Sequence, residues 1–70
     1  MSREQLEILV DYLKNEVPQL LADYPEAHDF WDAFDGLSEV GLERAEPEDK
    51  PWFERELLKI THAHGLDRPG

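Results

Sequence analysis

The chain has no cysteine, so disulfide staples are excluded and no thiol nucleophile exists. No apolar run approaches the ~18 residues of a membrane span. There is no glycine-rich phosphate loop, no internal repeat, and no strand-type alternation of any length. Met-Ser-Arg-Glu-Gln at the start lacks the make-up of a secretory signal, and together with the missing cysteine it leads us to expect a cytoplasmic protein. Positive charge is scarce as well, with 7 Lys/Arg against 17 Asp/Glu and a formal charge of -10. That balance argues against a direct nucleic-acid footprint or attraction to an anionic membrane. Seventy residues suffice for one domain only. A core of that size supplies ~3–5 kcal/mol, so the expected fold is economical: an all-α bundle of three to four short helices over residues 1–66, with 67–70 a frayed tail.

What is present is helical periodicity. Ser2 and Gln5 have capping-box spacing, and Leu6, Leu9, Val10, Leu13, Val17, Leu20, Leu21 and Tyr24 follow as one stripe. Pro18 falls inside that stripe without breaking its phase. The segment is either one kinked helix or two collinear pieces meeting near Val17, and the residue preceding a proline favours the second. Asp23-Tyr24-Pro25-Glu26 reads as the next helix start, with Asp23 capping and Pro25 in the first turn. Ala27, Phe30, Phe34, Leu37 and Gly41 form its inner face. Gly36 either ends this helix, with Ser38 capping a further short turn, or is absorbed at about 1 kcal/mol; the break is the favoured reading. Gly41 falls on the apolar side, where it permits close approach of a neighbour. After the Glu46–Pro51 loop, Phe53, Leu57, Ile60 and His64 make a last inner stripe, closed by Gly65 and Leu66 as a left-handed cap.

Charge is distributed unevenly. Residues 15–43 hold eight acids and no Lys or Arg, so eight of the ten net negative charges lie there. Asp29, Asp32, Asp35 and, if the helix continues, Glu39 and Glu43 share the side opposite Phe30 and Phe34. Solvation alone would be served by mixed charges, and like charges at this spacing destabilise a helix. Such a run is either a solvated face that gives solubility or a docking surface for a basic partner, which would speed and select association; the second is the reading taken forward. One acid per ~5.4 Å of helix is about threefold sparser than duplex DNA, which ranks DNA mimicry lower. Ile8 and Tyr12, four apart on the flank of the first helix, and Trp31, off its own stripe, are candidate apolar anchors beside the acids. Trp31 and Trp52 equally suit shoulders covered by a second helix. Arg55, Lys59 and His62 form a basic strip that could answer the acids within the fold or across a homodimer.

Chemistry has little to work with. The hydroxyls are Ser2, Ser38 and Thr61, and two of them have local reasons to be caps. Raising a carboxyl pKa for acid–base work needs a desolvated pocket that an 8.2 kDa chain rarely affords. His28 and Asp32 lie four apart on one helix face and Asp29 or Asp35 could join them, but one His among solvated acids makes a weak site, and His62 and His64 point to different sides of a helix. Placing Gly36 at position six of a calcium loop puts Trp31 where an acid belongs. Asp35-Gly36-Leu37 resembles the Asp-Ser-Leu of acyl carrier proteins, but the serine that carries their prosthetic group is missing here. No enzyme activity, metal or cofactor is expected. In size and charge alone the chain resembles small inhibitors and immunity factors of phages and mobile elements. The expected function is a protein-binding inhibitor module whose Asp29, Asp32, Asp35, Glu39 and Glu43 meet a basic protein surface, with a nucleic-acid-binding protein as the favoured class. The alternative is a structural homodimer sharing a core of Ile8, Tyr12, Trp31 and Trp52.

Overall fold

A computed structural model describes residues 1–66, and the expected tail at 67–70 lies outside the described residues. Three helices follow in order, α1 (Arg3–Asp23), α2 (Ala27–Arg44) and α3 (Lys50–Ala63), and the described residues contain no strand. With 21 residues at ~1.5 Å each, α1 alone accounts for the 33 Å long axis of the molecule. Short connections then turn α2 and α3 back along it.

The capping box forms as its spacing implied. The Gln5 N–H donates to Ser2 Oγ at 3.2 Å, and the Ser2 N–H donates to Gln5 Oε1 at 3.0 Å. Pro18 does not divide α1, contrary to the favoured expectation of two pieces. Val17 is fully buried, so packing holds it in the helical region that a following proline disfavours. Pro18 itself is exposed, which leaves the Lys14 carbonyl it deprives of a donor on the solvent side. The same rule prevails at the next proline. Tyr24 precedes Pro25, takes a non-helical conformation (φ -127, ψ 77) and ends α1. Asp23 is therefore the last residue of α1 and not the cap of α2, which begins at Ala27 behind Glu26 without any side-chain cap.

Gly36 does not break α2 either, and three helices result where three to four were expected. Ser38 caps nothing: it is buried mid-helix, and its hydroxyl donates to the Asp35 carbonyl at 3.2 Å. The buried arc of α2 is Phe30, Trp31, Phe34, Ser38 and Gly41, turned from the expected stripe toward Trp31 because α2 covers both α1 and α3. Leu37 is half-buried and Ala27 exposed. Trp31 meets Phe30 and Phe34 edge-on, at centroid distances of 5.3 and 6.0 Å, the geometry that ring quadrupoles prefer.

At α3, Pro51 occupies the first turn as expected. Gly65 takes φ +69, its N–H donates to the His62 carbonyl at 3.0 Å, and the Leu66 N–H donates to the Thr61 carbonyl at 2.9 Å. This pair of bonds is a complete Schellman motif. His64 is the exposed cap residue and not part of the inner stripe; Phe53, Ile60 and Thr61 are buried instead. One end of the bundle is tied polar group to polar group. The Arg3 guanidinium pairs with Asp49 at 3.1 Å and lies 4.1 Å over the Trp52 ring, and the Met1 backbone nitrogen donates to the Arg44 carbonyl at 2.7 Å.

The two α2 glycines differ in their surroundings. A Cβ at Gly41 would fall 2.7 Å from Phe53 Cε2 and 2.8 Å from Leu9 Cδ2, and Phe53 is fully buried and has nowhere to retreat. Around Gly36 nothing lies within 4 Å. Gly41→Ala should destabilise by about 1–3 kcal/mol through overpacking, less the helix-propensity gain. Gly36→Ala should stabilise by about 0.5–1 kcal/mol. Urea titrations of the two variants check the opposed signs, and equal signs would contradict this packing.

Candidate docking site

Because Phe30, Phe34 and Gly41 turn inward, the opposite side of α2 is left to water. At ~100° per residue, Asp29, Asp32, Asp35, Glu39 and Glu43 fall within an arc of about 120° centred opposite that core, and all five are exposed. Unbroken passage of α2 through Gly36 is what puts Glu39 and Glu43 in line with the first three. Asp29, Glu39 and Glu43 have no Lys or Arg within ion-pair reach among the described residues. Asp32 lies 3.5 Å from His28 Nε2 and is 72% exposed; the contact becomes an ion pair only when the imidazole is protonated. Asp35 has an interaction of its own.

Within the basic strip of α3, Lys59 does not answer this face, and His62 has an interaction of its own. Lys59 pairs at 2.9 Å with Glu56, one turn back on its own helix. Helix-dipole preference does not explain the charge placement either. Asp29 in the first turn is favoured, but Glu43 sits in the last turn, where a cation is preferred.

The expected apolar anchors separate. Ile8 and Tyr12 are exposed, 65% and 47%, on the side of α1 opposite its buried residues. Turned outward on a different helix, they do not border the acids of α2. Trp31 is a core residue at 7% exposure, not the exposed anchor expected, though it lines a hollow between α2 and α3. Trp52 is half-buried beneath Arg3.

An apolar surface that sequence reasoning missed does lie beside the acids. Between α2 and α3 runs a groove of about 300 Å³, whose walls include Phe34, Leu42, Leu57, Leu58 and Leu66, with Glu54 as a carboxylate on its margin. Leu42 also lines a second, shallower hollow formed by Asp32, Asp35, Gly36, Ser38 and Glu39. The two depressions share Leu42 as a wall residue. Leu58, 54% exposed, was the available sign: at ~100° per residue it falls off the stripe of Phe53, Leu57 and Ile60.

The hydroxyls are committed to the backbone. Ser2 caps α1, Ser38 donates to Asp35, and Thr61 donates to the carbonyls of Leu57 and Leu58 at 3.3 and 3.1 Å. Among the described residues no three His, Asp or Glu side chains gather as metal ligands, and no helix is long and apolar enough to cross a membrane. No protein-family model, curated protein or solved structure matches the chain.

Repulsion along the acidic face has a measurable consequence. Glu39 stands four residues from both Asp35 and Glu43, so Glu39→Lys replaces two like-charge spacings with two attractive ones, a gain of about 1 kcal/mol at low salt. Its thermal midpoint should rise by roughly 4–8 °C, and added salt should narrow the gap to wild type. A midpoint at or below wild type would mean that the carboxylates do not repel.

Proposed function

We propose that this protein acts by binding, and that the acidic face of α2 docks on a basic surface of another protein. The observation that supports this reading is that Asp29, Glu39 and Glu43 stand exposed on one side of one helix with no Lys or Arg in ion-pair reach among the described residues. A face of this kind raises the encounter rate with a positively charged partner and repels acidic ones. Nucleic-acid-binding proteins are the partner class best suited, because a surface built to hold phosphates is complementary to clustered carboxylates. In that case the module would occupy the partner's nucleic-acid surface and inhibit it, in the manner of small phage or mobile-element inhibitors.

Exposure of Ile8 and Tyr12 on α1 favours a second reading, self-association through that face. Gln5, Ile8, Tyr12, Asn15, Gln19 and Ala22 recur there at alternating three- and four-residue steps without a single charge. The shared core would then be Ile8 and Tyr12, because Trp31 is already used within the bundle.

Charge reversal and sedimentation separate these readings. Asp32→Lys with Glu39→Lys should leave helicity intact and slow association with a lysine-rich DNA-binding protein by about tenfold or more at low salt. An unchanged association rate counts against acidic docking. Sedimentation equilibrium should give a monomer if docking is the function; a dimer dissociated by Tyr12→Glu would move the assignment to the homodimer.

A further inference from the structure

We infer that the groove between α2 and α3 receives a cationic amphipathic helix of the partner protein, with the helix's apolar side on Leu42, Leu57 and Leu58 and its Lys/Arg side over the neighbouring carboxylates. This rests on the acidic-docking reading and adds the partner's shape to it. Three observations carry it. Leu58 is 54% exposed on the wall of a trough whose other apolar lining is Trp31, Phe34, Leu42, Leu57 and Leu66, with Glu54 and His62 as its polar members. The trough shares Leu42 with the neighbouring hollow lined by Asp32 and Glu39, and Glu54 lines the trough from α3. An occupant must therefore be apolar on one side and cationic on the next, which is the character of a basic amphipathic helix and the groove mode by which such helices are bound.

Size and charge narrow the occupant further. The groove's lining runs from Trp31 to Leu42 on α2 and from Glu54 to His62 on α3, a length of about 12–17 Å, which matches a contact of two to three turns of a partner helix. Its volume of about 300 Å³ is at the floor of the range for small-molecule pockets. A second copy of the chain would bring another ten negative charges against the Asp32 and Glu39 margin.

The test uses three synthetic probes and the intact protein. The first is a helix-forming peptide of leucine and lysine, about as long as α2, with its leucines on one face. The second has the same composition permuted to destroy the apolar face, and the third is oligolysine of equal charge. In fluorescence anisotropy the amphipathic peptide should bind about tenfold or more tighter than the permuted one. Leu58→Ser, at an exposed position where the fold does not depend on it, should remove about that factor while leaving oligolysine affinity unchanged. Glu39→Lys should weaken all three probes. Equal binding of the two peptides, or indifference to Leu58→Ser, overturns the groove inference while acidic docking stands on the Glu39→Lys response. Indifference of every probe to Glu39→Lys overturns both. A wild-type dimer dissociated by Leu58→Ser would give the groove to a second copy and overturn the inference as well.

Discussion

The bundle depends on one close approach, that of Phe53 to Gly41. Phe53 is fully buried, and the place where a Cβ of residue 41 would stand is occupied by its ring and by the tip of Leu9. All three helices meet through these three residues. The missing side chain lets α3 enter deeply enough to cover α2, and the ties of Arg3 to Asp49 and Trp52, with Met1 on Arg44, close the same end of the bundle. Without disulfides, a small core is held together by this kind of contact: dense packing at one point and charge-assisted bonds around it.

That arrangement sets which surfaces remain. Gly41, Phe30 and Phe34 fix the rotation of α2 about its own axis, and once that rotation is fixed the acids have no choice but to face outward together. Repulsion along α2, and Glu43 at the wrong end of its dipole, disfavour the isolated helix. The aromatic trio of Phe30, Trp31 and Phe34 offsets this by burying large apolar area on the other side. A helix can thus carry an unfavourable outer face for as long as its inner face packs well, and the burial on one side is what makes the concentrated charge on the other tolerable.

Much of the fold was legible in the residues. Ser2 and Gln5 named the start of α1, Gly65 and Leu66 the end of α3, and Gly41 the site of close contact, because each depends on neighbours within about one turn or on the phase of its own stripe. The misreadings at Pro18, Gly36 and Asp23 share a cause. Each was a local penalty weighed without the packing that opposes it: burial of Val17 holds α1 together, and the covered face from Phe30 to Gly41 carries α2 through Gly36. Within the candidate site, the acids were readable as a set. Trp31 as an exposed anchor was not sustained, and the groove at Leu42 and Leu58 was not foreseen, since both depend on which neighbouring helix covers which shoulder.

The chain by itself settled the all-helical class, the helix termini that carry their own capping groups, and the crowding of negative charge into its middle, because these follow from short-range sterics, periodicity and composition. Only the tertiary structure decided that α2 is one helix, that Trp31 belongs to the core, and that an apolar trough opens beside the carboxylates. A helix has two shoulders of nearly equal apolar character, and its own residues do not determine which one a neighbour will cover; the relative placement of α1 and α3 does.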